Sequence, residues 1–281
     1  MISHCSRFAY FGSMSQLHLA LTAAVLLLTA VPGAATTQDE ILDAALLPGW
    51  RMENGHHMSG LSLTLAPNWK TYWRAPGEAG IPPLFDWSGS ENVKSIRVHW
   101  PSPEVFHTNG MQTVGYHDGV VLPLEVTPRV PGQPIVLRAR VDLGVCKDIC
   151  MPAYIEVQAA LANPGQPDAA IRAALKSRPR TGPEAGIEAI RCSVEPIADG
   201  LRLTATMDLP QRGGAETVVF EIDNSAVWVA ESVTSRAGGV LTSVTELVTG
   251  SGTPFALDRS GVTVTVLSAA GSVEIAGCPA P

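Results

Sequence analysis

The chain has 281 residues, with 46% hydrophobic and 16% charged side chains, a balance that supports packed domains and excludes wholesale disorder. Nineteen basic against 26 acidic residues give a net charge of −7, and no basic cluster stands out, so nucleic acid is excluded as an expected partner. Walker, Gly-x-Ser-x-Gly and zinc-protease signatures are absent, which leaves nucleotide and hydrolase chemistry unsupported.

The first 35 residues read as a signal peptide. Arg7 supplies a weak positive region, Leu19 to Val31 is apolar apart from Thr22 and Thr29, and Gly33-Ala34-Ala35 offers the small residues that a signal peptidase requires. An apolar core of about 13 residues falls short of the roughly 20 needed to span a bilayer, so no membrane insertion is expected after cleavage. Cys5 lies upstream of that core and is lost on processing, leaving four cysteines in an exported, oxidising compartment, where an even count favours disulfides.

From about Gly49 to Leu161 short β patterns alternate with turn residues. Leu61-Ser62-Leu63-Thr64-Leu65 alternates strictly, Val93 to Trp100 less cleanly, and Pro134 to Val141 and Ala153 to Ala159 form two more strands around a cysteine loop. Pro-Gly, Asp-Gly and Asn-Gly punctuate these strands, the pattern of an antiparallel sandwich over residues 36–161. Residues 162–185 read as a Pro-rich linker in which Asp168 caps a short helix through about Lys176. Residues 186–281 then form a second β region, with alternation at Leu201 to Met207, Val218 to Ile222 and Val262 to Val266. The expected fold is all-β, two immunoglobulin-like antiparallel sandwiches joined by that linker.

Four cysteines allow three pairings, and separation along the chain favours Cys146 with Cys150 and Cys192 with Cys278. On the loop-entropy model a ring of about 5 residues stabilises by roughly 2 kcal/mol, and one of about 87 residues by roughly 4.6 kcal/mol. Cys192–Cys278, tying the ends of the second region together, reads as a structural disulfide. Cys146-Lys147-Asp148-Ile149-Cys150 is compatible with thiol exchange, with a structural clip or with metal binding. Lys147 favours a neighbouring thiolate and Asp148 opposes it. His56-His57-Met58, with Met52, Met111 and Met151, offers ligands suited to copper, against the plainer reading of a solvated loop before the Leu61 strand. His99, His107 and His117 show no metal-ligand spacing. Trp69, Tyr72 and Trp73 suit either a recognition surface or buried sandwich aromatics.

The segment Asn68-Trp69-Lys70-Thr71-Tyr72-Trp73-Arg74-Ala75-Pro76-Gly77-Glu78-Ala79-Gly80-Ile81-Pro82-Pro83 resembles the amino-terminal periplasmic domain of the DsbD family, most of all its ScsB-type branch, linked to copper tolerance. Trp100-Pro101-Ser102-Pro103, Gly115-Tyr116 with Leu122-Pro123-Leu124, and the Cys146 to Pro152 loop extend the resemblance over about residues 49–160. Residues 186–281 resemble that branch's additional domain by pattern alone. The resemblance implies a periplasmic immunoglobulin-like domain with one redox-active pair, needing no cofactor. Cys150 corresponds to the attacking cysteine and Cys146 to the resolving one, while Phe106, His107, Thr108 and Asn109 correspond to a cap over the pair. It implies two kinds of partner, a thioredoxin-fold periplasmic protein and a membrane thiol reductase. The chain stops after its second β region, so both are expected as separate proteins. The alternative is a periplasmic copper-binding protein using the same cysteines.

Overall fold

The computed structural model describes residues 37–281 apart from Asn109, Glu188, Ala189, Arg212 and Pro254. The expected signal peptide, with Arg7 and Cys5, lies outside the described residues.

A short helix α1 (Gln38–Ile41) leads into β1 (Leu42–Arg51), and then follow β2 (His57–Leu65), β3 (Lys70–Tyr72), β4 (Leu84–Asp86), β5 (Val93–Val98), β6 (Glu104–Thr108), β7 (Met111–His117), β8 (Gly119–Pro128), β9 (Ile135–Cys146) and β10 (Cys150–Leu161). These strands build two facing sheets. One runs β1-β2-β8-β5; the other runs β10-β9-β3-β7-β6, with β4 also paired to β9. The leucines of the Leu61–Leu65 alternation point inward with Leu122, Leu124, Leu137, Val141 and Val145 to form the core between them. Each such side chain contributes roughly 1.5–3 kcal/mol by leaving water.

Helix α2 (Ala169–Lys176) begins where Asp168 accepts hydrogen bonds from the backbone N–H groups of Ala170 and Ile171. Its Ile171 is fully buried and lies where a side chain on Gly60 would have to go, so the helix packs on the outside of the first sheet. Beyond it, β11 (Arg180–Thr181) is followed by β12 (Ile190–Ile197), β13 (Gly200–Asp208), β14 (Glu216–Ile222), β15 (Val227–Val229), β16 (Val233–Ala237), β17 (Val240–Thr249), β18 (Val262–Ser268) and β19 (Gly271–Ala276). The second pair of sheets runs β11-β19-β18-β14 and β12-β13-β17-β15, with β16 on β17. The chain is all-β with immunoglobulin-like sandwiches, as its alternation indicated. One detail departs from a purely antiparallel plan: Arg180–Thr181, within the segment read as linker, pairs parallel with Val273 and Glu274.

The two sandwiches share a small core. Trp73, Val114 and Tyr116 from the first meet Leu267 and Val219 of the second, and Trp73 is completely buried there. Around it, Arg74 donates to Glu221 and Glu274, and the backbone N–H of Ser102 donates to the carbonyl of Ser177 at the end of α2.

Candidate redox site

Side chains alternate along a strand, and directly opposed residues in an antiparallel pair share a face. On β9, Val141, Leu143 and Val145 face the core, so Asp142, Gly144 and Cys146 face outward. The register then places a row of four residues across four strands on that outer face: Cys150, Cys146, Lys70 and His117. The next row holds Pro152, Gly144, Tyr72, Gly115 and Glu104. Tyr72 falls beside Gly144 because β3 is wedged between β9 and β7.

Cys146 and Cys150 are joined by a disulfide, with Cα atoms 4.1 Å apart, at the last position of β9 and the first of β10. The hairpin between them is closed by the Lys147 N–H donating to the Ile149 carbonyl. The two cysteines are not equivalent: Cys146 is 1% exposed, whereas Cys150 is open to solvent. The Tyr72 hydroxyl lies 3.0 Å from the Cys146 sulfur and 3.3 Å from the Cys150 sulfur. Disulfide sulfurs carry no proton, so in this state the phenol donates. Burial pushes the Tyr72 hydroxyl above its ordinary pKa, which keeps it protonated.

Gly144 makes this approach possible. A Cβ there would stand 2.9 Å from the Ile81 Cβ and 3.1 Å from the Tyr72 ring, closer than side-chain packing allows. Thr71, on the opposite face, fixes the strand by donating from its hydroxyl to the Gly144 carbonyl. Lys70 reaches sideways: its ammonium donates to the Thr113 hydroxyl and lies 4.8 Å from the centre of the Phe106 ring. Partial burial lowers its pKa.

Three of the four residues that resemble a cap lie on a strand. Phe106, His107 and Thr108 belong to β6, hairpinned to β7, and Asn109 lies outside the described residues. Phe106 is on the same outer face as the disulfide, with its ring against Lys70 and edge-on to His117, whose Nδ1 is 3.2 Å from Glu104. Eight large apolar side chains are exposed among the described residues, and five of them surround this face: Ile81, Leu84, Met111, Tyr154 and Ile149, the last 67% exposed at the hairpin tip.

Cys192 and Cys278 form the second disulfide, fully buried between β12 and the end of the chain. The Arg259 guanidinium donates to both of their carbonyl oxygens.

The soft-ligand candidates are dispersed. Met151 opposes Val145 and packs on the core, facing away from the cysteines. His57 and Met58 are buried within β2, which corrects the reading of His56-His57-Met58 as a solvated loop; His57 Nε2 lies 2.6 Å from the Pro48 carbonyl. His56 and His99 flank the two oxygens of Glu125 at 2.6 and 3.0 Å. Among the described residues no three His, Cys, Asp or Glu side chains are grouped to hold a metal ion.

Sequence reasoning left Tyr72 undecided between core and recognition surface, and missed Lys70 and Gly144. No local pattern signals them, because Gly144 comes beside Tyr72 only through the pairing of β3 with β9.

Residues 43–162 match the family model described as thiol:disulfide interchange protein DsbD, N-terminal. No curated protein matches the chain by sequence. Among solved structures, the chain is similar to the crystal structure of the N-terminal periplasmic domain of ScsB from Proteus mirabilis, at 23% identity and a TM-score of 0.64, covering 88% of this chain and 97% of that one. At that identity the likeness establishes the fold, and it extends over both sandwiches. No helix among the described residues is long and apolar enough to cross a membrane.

Proposed function

Because residues 43–162 are an amino-terminal domain of the DsbD type, we propose that this chain is an exported thiol:disulfide exchange module working through Cys146 and Cys150. The observation that carries the reading is the asymmetry of the pair. One sulfur-bearing residue is open on a sheet face, and its partner is buried against a tyrosine hydroxyl.

In the reducing half-cycle the Cys150 thiolate attacks a sulfur of the partner's disulfide, forming a Cys150–partner disulfide and expelling one partner thiolate. The Cys146 thiolate then attacks the Cys150 sulfur and expels the second. The partner gains two electrons and two protons, and the chain is left with the Cys146–Cys150 disulfide. Resetting requires a donor dithiol, for which a membrane thiol reductase is the fitting class. Its first thiolate attacks exposed Cys150, forming a donor–Cys150 disulfide while Cys146 leaves beside the Tyr72 hydroxyl, which donates to the departing sulfur. The donor's second thiolate then attacks the donor sulfur of that bond, releasing Cys150 and leaving the donor as a disulfide. The acceptor is a thioredoxin-fold protein of the same exported compartment. Phe106 on the same face, with His107, Thr108 and Asn109, is the candidate shield, and Cys192–Cys278 is a structural clip.

The direct test mixes the reduced chain with an oxidised thioredoxin-fold protein and quenches with acid at intervals. Stoichiometric appearance of partner dithiol with loss of Cys146 and Cys150 thiols supports the reading; no transfer refutes it.

A further inference from the structure

Arg74 stands two residues after Tyr72 and one after Trp73. Its guanidinium donates from Nε to Glu221 at 2.7 Å, from Nη2 to the other Glu221 oxygen at 2.8 Å, and from Nη2 to Glu274 at 2.5 Å. Both carboxylates belong to the second sandwich, on β14 and β19, so one cation grips two strands of one sheet from the bend that follows β3 in the first sandwich. The same guanidinium lies 4.4 Å from the centre of the Trp73 ring. Trp73 is fully buried against Leu267, and its backbone N–H donates to the Val114 carbonyl of β7. Trp73 and Tyr72 point to opposite faces of one short strand end. The back of that strand is bolted to the second sandwich, and its front carries the hydroxyl that touches both redox sulfurs.

We propose that Arg74 is a positioning residue for the redox centre: by clamping β3 to Glu221 and Glu274 it holds the Tyr72 hydroxyl within hydrogen-bond reach of the Cys146 and Cys150 sulfurs. The second sandwich is thereby a working part of the exchange site. β3 is only three residues long, and its ladder to β9 consists of Lys70 and Thr71 alone, so Tyr72, its last residue, is paired to Gly115 of β7 but not to β9, the strand that carries Cys146. On the β9 side the ladder does not hold Tyr72, and the rigid fork of an arginine held by two carboxylates fixes the chain two residues beyond it. A lysine, a single point charge, would grip one carboxylate and restore the position only in part.

This inference rests on the proposed exchange function, and a mutant cycle separates the two. The reduction rate of Cys146–Cys150 by glutathione is measured against pH for the full chain, Tyr72→Phe, Arg74→Met, Arg74→Lys and the Tyr72→Phe/Arg74→Met pair. Loss of one hydrogen bond predicts a fall of about threefold to tenfold for Tyr72→Phe. Arg74→Met is expected to fall comparably, Arg74→Lys less, and the pair no further than Tyr72→Phe alone, because both remove the same interaction. Losses that multiply in the pair, an unchanged rate in Arg74→Met, or an unchanged rate in Tyr72→Phe would each overturn the proposal. Should Arg74→Met fail to fold, Glu221→Gln with Glu274→Gln replaces it in the same cycle and decides by the same rule. If glutathione does not reduce the pair in the unaltered chain, the exchange function itself fails; if it does and the losses multiply, only the role of Arg74 falls.

Discussion

The Tyr72 hydroxyl meets the Cys146 sulfur at 3.0 Å across 74 residues of sequence, buried where water cannot replace it. Its raised pKa means that it remains a donor at neutral pH, available to stabilise a sulfur gaining charge. Replacing Tyr72 by Phe keeps the ring on Gly144 and removes only the hydroxyl. The expected result is a fold with unchanged cooperativity and a Cys146 thiol of higher pKa in the reduced protein. Thiolate absorbance against pH would show the shift.

The exposure of Cys150 and burial of Cys146 predict opposite outcomes for two single variants. Cys150→Ser abolishes exchange with an oxidised thioredoxin-fold protein. Cys146→Ser still attacks and accumulates a covalent complex that non-reducing electrophoresis resolves. Trapping by the Cys150→Ser protein instead would reverse the assignment.

Gly144→Ala places a methyl group into the contact with Ile81 and the Tyr72 ring. Overpacking of this kind costs about 1–3 kcal/mol, and the ring must move away from the sulfurs. Chemical denaturation should report the loss, and the exchange rate should fall in parallel with Tyr72→Phe.

Cys192→Ala with Cys278→Ala opens the long loop of the second sandwich, whose sulfurs lie 86 residues apart in sequence. The expected cost is about 2–5 kcal/mol of stability, visible in denaturant midpoints. The reduction equilibrium of Cys146–Cys150 should stay where it was, since Arg74 and its two carboxylates are untouched.

Glu125 predicts an acid limb to stability. Its carboxyl is held below the ordinary value of 4.5, chiefly by the hydrogen bond with His56 and then with His99, against some opposing burial. A depressed folded-state pKa means that the unfolded chain binds the proton first as pH falls. The contribution is therefore complete above about 4.5 and is lost as pH drops through the lower folded value. Unfolding midpoints of the wild type should decline more steeply below that pH than those of Glu125→Gln, and equal slopes would refute the contribution.

What the sequence made legible was local. The leucines at 61, 63 and 65, the helix begun by Asp168, and the placement of Cys192 in a first strand and Cys278 beyond a last one all follow from residues near each other in the chain. What it hid was the non-local pairing that composes the site. Tyr72 reaches the sulfurs only because a three-residue strand inserts between β9 and β7, and no periodicity in Lys70-Thr71-Tyr72 announces its neighbours. His57 and Met58 look like the end of a polar loop, yet β2 begins at His57 and pairs on both sides. Arg180–Thr181 is too short for any pattern, and its parallel partner is more than ninety positions away.

The most direct test of the exchange function is a redox titration of the protein in glutathione buffers, with differential alkylation read for each cysteine by mass spectrometry. Cys146–Cys150 is expected to titrate between roughly −180 and −270 mV, the range of exchange catalysts, while Cys192–Cys278 stays oxidised. If both pairs resist reduction below about −300 mV, as structural disulfides do, the hairpin is a clip and the proposed function is wrong.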